Sequence, residues 1–398
     1  MNFSPFYIAT LPRIAFGEGE FSRLPEFLSE FGKRLLLVTG ANSLQATKHW
    51  SDLLKQLKEN AFTFEHFIVD EEPSPALIDS AVNRFKDANI EFVVAIGGGS
   101  VMDTGKAIAG LLPTGDSVMN FLEDVGKGLP YHGPSLPFIA VPTTAGTGSE
   151  ATKNSVLSEH GTQGYKKSFR HECLVAKLTV VDPALMEACP GHLIAAQGMD
   201  AFTQLLESYV SLRANPLTDA LAWSGLQAVF SGFLDAYHGG DTETARHGRA
   251  AMAYAALLSG ITLAQVGLGS VHGLAQPLGS LFPIPHGVAC GTTVATATSV
   301  NIQALRQRAP DSSALNKYAA TGRLLADNIE LNDTDACHKL VEVLEHWTQT
   351  LQIPRLSKYG VSENDIPKIV ANSRGNSMKS NPVELSDAEI GSIVQGRL

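Results

Sequence analysis

Two short stretches of this 398-residue chain carry side chains that can bind a metal. Asp200 and Gln204 stand four residues apart in GMDAFTQLLESYVS (198–211), and His272 and His286 stand in VHGLAQPLGSLFPIPHGVACG (271–291). Side chains at i and i+4 stack on one face of a helix, so Asp200 and Gln204 would point the same way. Two imidazoles from a separate segment would complete a mixed nitrogen and oxygen set of the kind that divalent first-row metals accept. A single histidine in such a place is usually structural. Two, each followed by glycine, point to ligation.

A second chemistry is phosphate binding. Gly97, Gly98, Gly99 and Ser100 lie between the apolar run FVVAI and the segment VMDTGKAIAGLL. Glycines at a strand-to-helix turn let a ligand approach the backbone, and the free amides of the helix start attract phosphate oxygens. Asp103 falls in the first turn of that helix, where the dipole favours a carboxylate. It could instead hydrogen-bond a ribose or a nicotinamide amide. The loop PTTAGTGSE (142–150) follows another apolar run and gathers hydroxyls and glycines, with Thr143, Thr144 and Thr147 available to phosphate or ribose oxygens. Taken alone, such a run also reads as an ordinary loop.

These residues need a frame. From Lys33 to Thr144 the pattern alternates: strands at Arg34–Thr39, Phe62–Val69, Phe92–Ile96 and Phe138–Val141, helices at Leu44–Glu59, Ala76–Ala88 and Val101–Leu112. That alternation predicts a parallel sheet covered by helices, and the nearly continuous apolar runs LLLV and FVVAI suit strands buried on both faces. Ligands on such sheets sit beyond the carboxyl ends of the strands. After Asp182-Pro183, long Ala- and Leu-rich segments run from Leu193 to Gln303 and from Ala314 to Leu351, which predicts helices. The fold class is therefore α/β followed by all-α. Pro183, Pro190 and Gly191 mark the break, giving a sheet domain over residues 1–188 and a helical domain over 189–398.

GGGSVMDTGKAIA (97–109), VPTTAGTGSE (141–150), GMDAFTQLLESYVS and the two-histidine stretch resemble, in order and spacing, the iron-containing (group III) alcohol dehydrogenase family, over roughly Pro12 to Leu351. The resemblance implies a dehydroquinate synthase-like fold, with a Rossmann-like domain for NAD or NADP, a helical domain for a divalent metal, and a substrate cleft between them. It implies that Gly98, Gly99 and Ser100 hold the pyrophosphate with Gly97 beside them in the cofactor site, that Asp103, Thr143, Thr144 and Thr147 face the nicotinamide side, that Lys166 reaches a ribose hydroxyl and that Leu185 lies against the cofactor. It implies metal ligands at Asp200, Gln204, His272 and His286, and an active site that includes His272, His286 and Gln276. The family's ligands are an aspartate, a histidine four residues on, and two histidines fourteen apart. Here Gln204 replaces the second ligand, and Gln276 stands where the family often has another histidine. An amide oxygen is a weaker donor than imidazole for late first-row metals, so a weaker or different metal is expected, Fe2+ first, then Zn2+ or Ni2+. NAD-preferring relatives tend to carry aspartate at the position of Gly40; its absence, with Asn42 and Ser43 able to donate to a 2′-phosphate, favours NADP.

The implied activity is reversible hydride transfer between a small alcohol or aldehyde and the nicotinamide. Two other readings remain at this stage: a carbon–oxygen lyase like dehydroquinate synthase, and a metal-free reductase or non-catalytic cofactor-binding relative. The formal charge of −10 argues against nucleic acid as a partner. Four cysteines form no CxxC pair, which fits a reducing, cytoplasmic setting. The apolar stretch Ala250–Ala264 is broken by Ser259, Gly260 and Thr262 and reads as a buried helix, not a membrane span. The segment Asn372–Asn381, rich in Ser, Asn and basic residues, reads as an exposed connector. A homodimer or larger assembly is expected.

Overall fold

The computed structural model describes residues 5–159 and 164–398. Its elements are β1 (Arg13–Phe16), α1 (Leu24–Leu28), β2 (Arg34–Gly40), α2 (Lys48–Glu59), β3 (Thr63–Val69), α3 (Pro75–Phe85), β4 (Phe92–Gly97), α4 (Gly99–Leu111), β5 (Phe138–Pro142), β6 (Asn154–Glu159), β7 (Tyr165–Arg170) and β8 (Leu178–Val181). Nine further helices follow: α5 (Gly191–Val210), α6 (Pro216–His238), α7 (Glu243–Val266), α8 (Ser270–Leu281), α9 (His286–Arg308), α10 (Ser313–Leu325), α11 (Asp333–Thr350), α12 (Ile366–Asn372) and α13 (Asp387–Gln395).

The chain forms two compact units. One comprises Ala9–Cys189 with Gly240–Ala253; the other comprises residues 5–8, Pro190–Gly239 and Tyr254–Leu398, among the described residues. In the first, six parallel strands run in the order β1-β8-β5-β4-β2-β3. Side chains alternate across a strand, and the runs sort accordingly. Leu35, Leu37, Val94, Ile96, Ile139 and Val141 enter one core. Leu36, Val38, Val93, Ala95, Phe138 and Ala140 enter another on the opposite face. Each buried Leu, Ile, Val or Phe among them contributes roughly 1.5–3 kcal/mol. That is why LLLV and FVVAI read as unbroken apolar runs.

Three features of this unit differ from the sequence reading. Helix α2 starts at Lys48, because residues 42–47 turn first: the amide of Ala46 donates to Asn42 O at 3.2 Å, and the Gln45 side chain donates to Gly40 O at 2.6 Å. Strands β1 and β8 join the sheet, and β6 and β7 form an antiparallel hairpin. Asp103 lies beyond the first turn of α4, which begins at Gly99. It therefore does not cap its own helix.

In the second unit, the expected exposed connector is exposed at Asn372, Arg374, Asn376 and Lys379 but is anchored at its end by Asn381. Its side chain is 2% exposed and accepts from the Ser270 amide (3.0 Å) while donating to Asn301 Oδ1 and Val383 O, both 2.7 Å. Ser373 and Ser380 are likewise buried. Polar residues there satisfy backbone groups that would otherwise be buried unpaired. Helix α7 is the one described helix long and apolar enough to cross a membrane; two-thirds of its most apolar window is buried within the protein.

Candidate active site

The helical unit converges four donors on one point. Helix α5 carries Asp200 and, one turn on, Gln204; α8 carries His272; α9 begins at His286 and carries Cys290 one turn later. Glycines let α9 approach α5 this closely. A Cβ at Gly287 would meet Ala196 O at 2.4 Å, and one at Gly291 would meet Met199 Cβ at 2.9 Å. Because Gly287 and Gly291 directly follow His286 and Cys290, the same contact turns those two side chains toward Asp200.

Asp200 Oδ1 lies 3.2 Å from His272 Nε2 and 3.7 Å from His286 Nε2. Cys290 Sγ lies 3.7 Å from His272 Nε2 and 3.8 Å from His286 Nε2. The ligand atoms of Asp200, His272, His286 and Cys290 all fall within 4.8 Å of one another. His286 is the open member, with 42% of its side chain exposed, whereas Cys290 is fully buried.

Glu207, two turns along α5 from Asp200, orients His272. Its carboxylate accepts the His272 Nδ1 proton at 2.7 Å, together with the amides of Gly269 at 2.9 Å and Val271 at 2.6 Å. It thus caps the start of α8 with a full negative charge, as the helix dipole favours. With Nδ1 committed as donor, the Nε2 lone pair faces Asp200. Such a carboxylate–histidine pair is the usual support of a metal ligand.

The electrostatics match. Burial opposes ionisation of Asp200, yet His286 and His272 beside it outweigh that and hold its carboxyl below the usual range. Burial likewise opposes charge on His272, but Cys290, Asp200 and Glu207 raise it well above an ordinary histidine. Burial, with help from Asp200 and Glu207, pushes the Cys290 thiol up to about 12. Converging lone pairs from Asp200 and His272 need a cation between them, either a proton or a metal ion. The residues present therefore fit a divalent metal.

The two glutamines lie differently. Gln204 is buried, and its amide oxygen accepts from the Ser259 hydroxyl at 2.6 Å. Gln276, one turn after His272, is exposed, and its Oε1 lies beside Gly375. The sequence reading missed Glu207 and Cys290. Both were signalled by helical spacing, at i+7 from Asp200 and i+4 from His286.

In the sheet unit, the glycine turn and the threonine loop meet. The amide of Thr143 donates to Gly97 O at 3.0 Å. A Cβ at Gly98 would meet Thr144 Cγ2 at 3.3 Å, and one at Gly99 would meet Thr147 Cγ2 at 2.9 Å. Gly97 ends β4 and Gly98 precedes α4, so Gly99 and Ser100 present the free amides of that helix. Asp103 accepts from Ser149 Oγ at 2.6 Å and from the Val156 amide at 3.0 Å. Behind it, fully buried Lys106 donates to Ser149 O, Thr152 Oγ1 and Asn154 O at 2.8, 3.1 and 2.6 Å. Gly40 ends β2, with Asn42 and Ser43 exposed in the turn beyond it. Lys166 on β7 lies 3.2 Å from Glu72, and Leu185 packs half-buried against the sheet core.

A glycine turn at the carboxyl end of a parallel sheet, together with a buried mixed-donor centre in a helical unit, fits a metal-assisted dehydrogenase of the dinucleotide-binding kind. The comparisons agree. The "Iron-containing alcohol dehydrogenase" family model matches residues 12–183, and that of the "Fe-containing alcohol dehydrogenase family, C-terminal" matches residues 194–398. The chain is 32% identical to 1,3-propanediol dehydrogenase of Klebsiella pneumoniae over 93% of this chain and 94% of that one. It is 29% identical to NAD-dependent methanol dehydrogenase of Bacillus methanolicus, covering 97% and 98%. A crystal structure of 1,3-propanediol oxidoreductase superposes with a TM-score of 0.86 at 29% identity, covering 99% of this chain and all of that one. The chain belongs to the iron-containing alcohol dehydrogenase family. It is an oxidoreductase acting on CH–OH groups with a nicotinamide cofactor and metal assistance.

Proposed function

We propose that the chain interconverts a small alcohol and its aldehyde, with Asp200, His272 and His286 holding the metal and Gly97–Ser100 holding the dinucleotide pyrophosphate. When bound, the metal supplies Lewis acidity toward the substrate oxygen, and the nicotinamide gives or takes the hydride. Asp200 contributes the negative charge that retains a cation. Glu207 keeps the His272 lone pair aimed. Thr144 and Thr147 press on the glycine turn and fix its shape. Thr143, Asp103 and Lys166 are assigned to the ribose and nicotinamide side, Leu185 to an apolar contact with the cofactor, and Gln276 to the substrate side of His272. Gly40, with Asn42 and Ser43, leaves room for a 2′-phosphate and supports NADP beside NAD.

The observation that carries the proposal is the convergence of three acceptor atoms, from Asp200, His272 and His286, with Glu207 behind one of them. The test combines metal analysis of protein purified without chelator with NAD(P)H oxidation by a panel of small aldehydes, for the parent and His272→Ala. About one divalent metal per chain and aldehyde-dependent oxidation, both lost in His272→Ala, is the expected result. Turnover without metal would indicate a metal-free reductase. Turnover without net change in NAD(P)H would indicate a lyase, and binding alone a non-catalytic relative.

We further propose a cytoplasmic homodimer. The acidic charge and four free cysteines support the compartment. Among the described residues, edge strand β1 pairs only with β8, and Ile14 and Phe16 on it are 38% and 39% exposed, which supports self-association. Light scattering at micromolar concentration would give twice the chain mass; the single-chain mass would refute it.

A further inference from the structure

We propose that Cys290, not Gln204, supplies the fourth protein donor, so that the centre is an Asp–His–His–Cys set that prefers zinc to iron. This rests on the assignment of Asp200, His272 and His286 as ligands. Four observations carry it. The Gln204 amide oxygen is already within 2.6 Å of the Ser259 hydroxyl. Cys290 is fully buried, and its sulfur is within 3.8 Å of both imidazole nitrogens. It sits one helical turn from His286, on the face that the glycine contacts hold against α5.

The fourth observation is the spacing. A tetrahedral centre with bonds of about 2.0–2.3 Å has its ligand atoms about 3.3–3.8 Å apart. Four of the six separations are 3.2, 3.7, 3.7 and 3.8 Å, close to the edges of such a tetrahedron, and all six fall within 4.8 Å. A thiolate is a soft donor, and a mixed sulfur and imidazole tetrahedron suits zinc better than Fe2+. On ligation the thiol gives its proton to solvent and a metal–sulfur bond forms, with no change of oxidation state. Four protein ligands would leave the resting centre without an exchangeable position.

The test loads metal-stripped full-length protein with Co2+ and records its absorption spectrum. The expected parent spectrum has the visible bands of tetrahedral cobalt and a near-ultraviolet thiolate-to-cobalt charge-transfer band. Cys290→Ser should lose the charge-transfer band, and Gln204→Ala should keep it. X-ray absorption on the zinc-loaded parent should show one sulfur at about 2.3 Å and needs no variant. Visible cobalt bands without charge transfer, or a zinc shell of nitrogen and oxygen alone, would overturn the Cys290 assignment and leave the other three ligands standing. A parent that binds no Co2+ at all would overturn both.

Discussion

Glu207→Gln isolates one carboxylate whose capping and orienting contacts are visible. Oε1 accepts from Val271 N at 2.6 Å; Oε2 accepts from Gly269 N at 2.9 Å and His272 Nδ1 at 2.7 Å. A glutamine keeps one oxygen, and its best orientation leaves that oxygen on Gly269 and His272. The amide nitrogen then faces the Val271 N–H, donor against donor. Losing a charge-assisted bond costs about 1.5–3 kcal/mol, and the stranded buried donor adds to this, so about 3 kcal/mol is the working figure. For a domain of about two hundred residues, each kcal/mol lowers Tm by roughly 2–4 °C, which gives a drop of roughly 6–12 °C in metal-free protein.

The same change weakens the metal centre. A neutral amide oxygen polarises His272 less than a carboxylate does, and loss of such outer support typically costs 10–100-fold in metal affinity. Calorimetric titration with Zn2+ and thermal denaturation of the metal-free protein read the two effects separately. A Tm change within roughly 2 °C and affinity within roughly twofold would refute both the capping and the orienting role.

Other outcomes follow from the same geometry. Gly99→Ala places a methyl group 2.9 Å from Thr147 Cγ2, so dinucleotide affinity should fall while metal content stays at the parent value, read by fluorescence titration and mass spectrometry. Gly40→Asp meets only Val101 Cγ2 at 3.9 Å and therefore fits; its charge should shift the NADH to NADPH ratio of kcat/KM toward NADH by at least about tenfold, or about 1.4 kcal/mol. Burial raises the Glu150 carboxyl to about 7 despite Lys106 nearby, so the folded chain binds more protons than the unfolded one between pH 4.5 and 7. The stabilisation from its neutral form is complete below pH 4.5 and is lost as pH rises through 7. Urea unfolding should show a fall of up to about 3 kcal/mol across that window, and Glu150→Gln should flatten it.

The sheet was legible where burial on both faces wrote continuous apolar runs, as in β2 and β4. It was illegible at β1 and β8, which are four residues each and too short to show a period. The helical unit was legible as helix, because long Ala- and Leu-rich segments have few alternatives. The fate of Asn372–Asn381 was not, since polar composition alone does not reveal that Asn381 satisfies the Ser270 amide. Local chemistry carried the glycine turn. Which side chains meet across α5, α8 and α9 depended on glycine contacts between helices more than 60 residues apart in sequence.

That dependence explains how the donor set can change without loss of the site. A fourth ligand delivered from position 204 would use the i+4 spacing from Asp200 on α5. A fourth ligand from position 290 uses the same i+4 spacing from His286 on α9. Both positions are one helical turn from a proposed donor, and the close approach of α9 to α5 at Gly287 and Gly291 brings position 290 to the centre. Glutamine at 204 is then free to bond Ser259, which holds α7 to α5. A Gln204→His, Cys290→Ala double variant tests this equivalence. If the positions are interchangeable, it should bind one metal per chain with a purely nitrogen and oxygen shell and shift its preference from zinc toward iron. Failure of the double variant to bind metal, with the Gln204→His single variant binding as the parent does, would show that position 204 does not reach the centre.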